Sequence, residues 1–152
     1  MKTLKTIFVV VFITSIVSNA SARDDIGSYS VNEALSTEQA KAKLGNNIKF
    51  YFGDTSHGTV SKKFGVYGTN KKTNAFNKSD REACEWAFLS AMISLRNRAM
   101  QLGGNAVINI KSNYRNNLTT SNDTFQCGAG AFVAGVALQG EVVKIGKSPQ
   151  EL

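Results

Sequence analysis

Residues Cys127 to Gly140 read CGAGAFVAGVALQG, and the uncharged stretch around them runs from Thr124 to Gly140 in a basic, otherwise polar chain. Three readings compete for it: a membrane segment, a nucleotide loop or the centre of a fold. As a transmembrane helix its 17 residues are short and poorly helical, because Gly128, Gly130, Gly135 and Gly140 interrupt them and Gln126 and Gln139 lie inside. As a phosphate loop, GEVVKIGKS (Gly140 to Ser148) places five residues between its glycines, where G-x-x-x-x-G-K-[ST] requires four so that successive amides cradle the phosphates. Pro149 and three further residues follow Ser148, so no helix is expected there, and no nucleotide binding. What remains is a buried strand over residues 131–145, AFVAGVALQGEVVKI, whose small residues let a helix approach closely.

That helix is the clearest element in the chain. Ser79-Asp80-Arg81-Glu82 is a capping box, and the pattern continues through CEWAFLSAMISLRNRAMQL to the Gly103-Gly104 stop. Cys84, Ala87, Phe88, Ala91, Leu95, Ala99 and Leu102 fall on one face at helical spacing, and Trp86, Leu89, Ile93 and Met100 widen it, which predicts a core helix. Asp80, Glu82 and Glu85 in its early turns and Arg96 and Arg98 near its end match the macrodipole and need no ligand.

Around these two elements the remaining segments follow. RDDIGSYS (23–30) reads as a flexible lead-in. Ser30 to Glu33 forms a second capping box, opening a short helix from Glu33 to Leu44 that stops at Gly45-Asn46-Asn47. IKFYF (48–52) is a strand, and TVSKKFGVYGT (59–69) a second one in which Gly65 and Gly68 mark a bulge or close approach. TNKKTNAFN is a polar loop, NAVINIKSNY (105–114) a strand leaving the long helix, and RNNLTTSNDTF (115–125) a polar hairpin loop. The expected fold is therefore α+β: a small, mainly antiparallel sheet packed on one long helix, with a short N-terminal helix and one disulfide.

The disulfide follows from export. Lys2 and Lys5, an apolar run from Ile7 to Val17 and Ala20-Ser21-Ala22 are the three parts of a secretory signal, with cleavage expected after Ala22. The apolar run is shorter than the ~20 residues that span a bilayer, and no cysteine follows it before Cys84, which argues against a lipid anchor. Residues 1–22 are thus a signal peptide, 31–147 a single domain and 148–152 a tail, and the product is periplasmic or secreted without a transmembrane segment. Two cysteines in an oxidising compartment pair, so a Cys84–Cys127 bond is expected.

Without residues 1–22 the chain carries 16 Lys and Arg against 11 Asp and Glu, a net +5, and this excess is local. Residues 49–78 hold Lys49, Lys62, Lys63, Lys71, Lys72 and Lys78 against Asp54 alone. Lys62, Lys63, Phe64, Tyr67, Lys71 and Lys72 form the candidate binding patch, converging on one sheet edge to contact an anionic envelope surface or another envelope protein. The competing account makes these lysines solubilising charge on a sheet edge. No catalytic constellation is present, and a non-enzymatic exported binding module is the preferred reading. The alternative is a small exported hydrolase using His57, the only histidine, with Asp54 or Cys84. No cofactor, metal cluster or specific nucleic-acid contact is expected.

At KFYFGD (49–54), TNKKTNAFNKSD (69–80), GGNAVINI (103–110) and CGAGAFVAGVALQGEVVKI (127–145), the chain resembles a family of small exported bacterial proteins of unknown function, often labelled excinuclease ATPase subunit. More distantly, the helix, the GNAV strand and a Cys-containing, Ala/Gly-rich last strand are similar to the Rcs stress-sensor lipoprotein and to YbjQ-like domains. The resemblance implies an exported location and no particular activity.

Overall fold

The structure is a computed structural model and describes residues 23–146; the expected signal peptide (1–22) and tail (148–152) lie outside the described residues. In chain order the elements are β1 (Asp25–Ser30), α1 (Val31–Ser36), α2 (Glu38–Leu44), β2 (Lys49–Phe52), β3 (Val60–Asn74), α3 (Asp80–Leu102), β4 (Ala106–Tyr114), β5 (Asn117–Thr119), β6 (Thr124–Ala129) and β7 (Val133–Ile145). The α+β expectation holds: helices pack on one mixed sheet that curls into a half-barrel.

The uncharged run forms two strands, where the sequence predicted one beginning at Ala131. Gly128 and Ala129 of β6 face Gly135 and Ala134 of β7, and the Gly130 N–H donates to the Val133 carbonyl at 2.9 Å to close the turn between them. Cys127 accordingly lies inside a strand instead of just ahead of one. The GEVVKI stretch is extended backbone within β7. Gly140 has no room for a side chain, since a Cβ would stand 2.6 Å from Val107 Cγ1. Its neighbours in that space are Val107 and Ile110 of β4, so here the small residue admits an adjacent strand and not the helix.

β7 is the spine of the sheet. β3 pairs along its whole length on one side, while on the other β4 pairs with residues 138–143 and β6 with Ala134 and Gly135. β1 extends the sheet beyond β6, β5 forms a hairpin with β4, and β2 joins β4 in the one parallel pairing among the described strands. Where β4 and β6 diverge from each other beside β7, the buried Ser112 hydroxyl accepts the Gln126 N–H at 2.8 Å and replaces the missing ladder bond.

Several segments expected to be loops are strands. The lead-in holds β1, whose Tyr29 stacks on Phe125 at 5.8 Å. Thr69 to Asn74 of the expected polar loop complete β3, and β5 lies inside the expected 115–125 loop. Their polarity misleads because these are edge strands with one wet face, where tertiary pairing overrides composition.

Both capping boxes form. Ser30 Oγ accepts from Glu33 N at 3.2 Å and Ser79 Oγ from Glu82 N at 3.1 Å. The first helix nevertheless breaks in two at Thr37, whose extended backbone and hydroxyl, accepting Ala40 N–H at 3.1 Å, start α2 afresh. α3 ends as expected at Gly103, in left-handed geometry (φ 78°). Its core face consists of Ala83, Cys84, Ala87, Phe88, Leu89, Ala91, Met92, Leu95 and Ala99; of the residues expected to widen it, Leu89 is buried and Ile93 packs against the core, whereas Trp86 and Met100 are exposed. The core centres on Phe88, stacked on Phe125 at 4.0 Å between ring centroids and tilted against Phe52 at 6.0 Å. Beside it the Cys84–Cys127 disulfide joins α3 to β6, both residues fully buried.

Candidate functional site

Strand alternation decides where the candidate patch goes. Partners across β7 assign Lys62 (opposite Lys144) and Lys71 (opposite Val136) to the face that carries α3, and Lys63 (opposite Val143) and Lys72 (opposite Gly135) to the other face. Lys62 and Lys71 are also separated by most of the strand, about 25–30 Å at ~3.3 Å per residue, well beyond the ~8 Å Debye length at physiological salt. The four lysines therefore share an edge strand but do not converge. Lys63 pairs with Glu141 at 3.2 Å, and Lys62 sits over the Phe64 ring at 4.9 Å. Phe64 and Tyr67 are half-buried against the core, Tyr67 beneath the Arg98 guanidinium at 5.2 Å. The bulge expected at Gly65 is present, with φ 119° and a register shift between Lys63 and Gly65.

The other predicted residues are equally well placed. Cys84 is bonded to Cys127 and offers no thiol. His57 Nδ1 donates to the Gly58 carbonyl at 2.8 Å, its ring stands edge-on to Tyr51 at 5.6 Å, and among the described residues no contact joins it to Asp54. The Asp54 N–H is held by Asn122 Oδ1 at 2.8 Å. Among the described residues no three His, Cys, Asp or Glu side chains gather as metal ligands, and no helix is long and apolar enough to cross a membrane.

What the fold does assemble is an open cleft of about 550 Å³ at the β6–β7 turn. The paired Gly128 and Gly135 are buried beneath its floor, where the Tyr114 ring from the end of β4 lies over them. A Cβ on Gly128 would overlap the Tyr114 hydroxyl and ring, so the glycine is what admits the ring. The Tyr114 hydroxyl donates to Asp24 Oδ1 at 3.1 Å, and Arg115 pairs with the same carboxylate. Arg23 is likewise neutralised: it bridges Asp25 at 2.9 Å and Asp80, and the hydrogen bond to Asp80 is the main reason its pKa is raised. On the opposite wall the Lys72 stem runs beside Gly135, where a Cβ would meet Lys72 Cγ at 3.5 Å. Among the described residues the Lys72 ammonium has no ion-pair or hydrogen-bond partner. Ala131, Phe132 and Val133 form the lip.

Of the predicted patch only Lys72 reaches this cleft. Tyr114, Gly128 and Gly135 escape a search for reactive groups because none is one. A usable signal is the mirrored Gly128-Ala129 and Ala134-Gly135 around GAFV, which specifies a hairpin with two glycines face to face. Compared with family models, curated proteins and solved structures, the chain matches none.

Proposed function

We propose that the protein is an exported, non-enzymatic binding module that holds an anionic envelope component with an apolar portion in the cleft between Tyr114 and Lys72. The observation that carries this reading is the Lys72 ammonium, unpartnered among the described residues, at the wall of a cleft floored by the Tyr114 ring over two glycines and bounded by an apolar lip. Arg23 and Arg115 are engaged by Asp25, Asp80 and Asp24, so Lys72 is the one cation lining the cleft without a partner among the described residues. An anionic group beside Lys72 would gain a charge-assisted hydrogen bond, while Tyr114, Phe132 and Val133 cover an apolar body.

The test uses decyl phosphate below its micelle-forming concentration, followed by titration calorimetry. Saturable binding that Gly135→Val blocks and Lys72→Gln weakens about tenfold or more, the worth of a charged hydrogen bond, is expected. A Cβ at 135 meets only ordinary van der Waals contacts and valine suits a strand, and a urea melt alongside the titration checks that the variant is folded. Absence of binding, or binding indifferent to both changes, would overturn the reading.

A further inference from the structure

Beside the cleft, the same end of the sheet exposes a cluster of apolar side chains. Phe76, in the loop between β3 and α3, stacks on Phe132, in the turn between β6 and β7, with centroids 5.8 Å apart and planes 11° from parallel. The two rings remain 54% and 67% exposed, and Val133 next to them 49%. Stacked rings in a soluble domain's core would be covered; here they project.

The projection is built in. Asn74 Oδ1 accepts the Phe76 N–H at 2.8 Å, the Ala75 N–H donates to the Phe132 carbonyl at 2.8 Å, and the Lys78 N–H donates to the Ala75 carbonyl at 3.1 Å. Asn77 takes left-handed backbone (φ 59°) to complete the turn. Two loops distant in sequence are thus pinned together with both rings outward.

The unpaired charge around the rings is basic. Lys71, Lys72 and Lys78 lie within seven residues of Phe76, and residues 55–79 contain no Asp or Glu. The nearest acids, Asp24, Asp25 and Asp80, are each engaged by Arg23 or Arg115.

We propose that this tip docks on an anionic lipid bilayer, Phe76, Phe132 and Val133 entering the interface while Lys71, Lys72 and Lys78 meet lipid phosphates. Aromatic rings favour the headgroup boundary, and a basic fringe supplies attraction that the apolar side chains alone lack. The complementarity favours a bilayer over a protein groove, because lysines on both faces of β3 can reach a plane that surrounds the tip. The proposal shares the envelope location of the cleft reading but not its ligand: the tip can dock with the cleft empty, and the cleft can fill in free solution.

The experiment is co-sedimentation of the purified protein with phosphatidylglycerol vesicles and with phosphatidylcholine vesicles, alongside Phe132→Ser, Phe76→Ser, Lys71→Gln/Lys78→Gln and Gly135→Val. Binding to the anionic vesicles is expected, weakened about tenfold or more by either serine, the value of burying a phenyl ring, and about fivefold by each lysine removed. Gly135→Val should bind vesicles like the parent even if it no longer takes decyl phosphate, which separates the two proposals. In a Phe132→Trp variant the emission should shift to the blue with anionic vesicles against the constant Trp86 background. Failure of the parent to bind, binding unaffected by the serines, or an unshifted Phe132→Trp spectrum each overturns membrane docking. Capture of a protein instead, sensitive to the same serines with no vesicle binding, overturns it as well.

Discussion

Cys84, in the second turn of α3, and Cys127, in the middle of β6, are bonded with their Cα atoms 5.8 Å apart and neither residue reachable by solvent. The bond clips the helix to the one region of the sheet where β7 has handed pairing over from β4 to β6. It closes a loop spanning 43 positions, for which chain entropy gives a stabilisation of about 4 kcal/mol.

Replacing both cysteines by serine should therefore lower the unfolding free energy by about 4 kcal/mol in urea melts. In the parent, thiol reagents with reductant should find no reactive sulfur until denaturant is added. Two thiols titrating in the native protein from an oxidising compartment would contradict the bond.

Gly128 and Gly135 face each other across two strands, yet they should respond oppositely to a methyl group. Gly128→Ala drives a Cβ into Tyr114 and should destabilise by about 1–3 kcal/mol, the usual cost of overpacking. Gly135→Ala meets nothing closer than 3.5 Å and should be neutral or mildly stabilising. Tyr114→Ala should rescue Gly128→Ala; a double variant no better than the sum of the singles would break the proposed contact.

These contrasts mark what sequence reasoning can reach. α3 was legible because its cap, its apolar face and its Gly103 stop are all local, and Gly65 announced a bulge because its backbone need is its own. β1 and the second half of β3 were not, since GSYS and TNKKTN become strands only through the partners they find in β6 and β7. The cleft was hidden for a related reason. Tyr114 comes to rest on two glycines that follow it by 14 and 21 positions, and only the fold brings them together. Lys62, Lys63, Lys71 and Lys72 looked like one patch because sequence proximity ignores the alternation of a strand.

Tyr29 predicts an alkaline dependence. Burial against Phe125 raises its phenol pKa above the ordinary 10.0, with the neighbouring Asp80 acting in the same direction and Arg23 and Arg81 against it. The folded state thus prefers the neutral phenol, so this contribution is fully present below the unfolded value and is lost as pH rises through the higher folded one. Thermal melts from pH 8 upward should show a decline setting in near pH 10 that is shallower in Tyr29→Phe. Parallel declines in the two proteins would assign the loss to other groups.

Asn105, between the Gly103-Gly104 stop and β4, holds the end of β7 with both halves of its amide. Its Oδ1 accepts the Ile145 N–H at 2.8 Å and its Nδ2 donates to the Ile145 carbonyl at 2.9 Å, while its own N–H reaches the Val143 carbonyl at 3.1 Å. No other side chain both accepts and donates in this geometry at neutral pH except a glutamine one carbon longer. Asn105→Ala leaves two partly buried backbone groups unpaired and should cost about 1–3 kcal/mol. Asn105→Asp keeps the acceptor but sets a carboxylate against the Ile145 carbonyl, so it should be at least as damaging at pH 7. A protonated carboxyl can donate to that carbonyl, which raises the folded pKa of the introduced acid. The aspartate variant should therefore regain stability relative to Asn105→Ala as pH falls toward ~4. Urea melts of the three proteins at pH 7 and pH 4 would decide it, and equal stability of Asn105→Ala and the parent would remove the clamp.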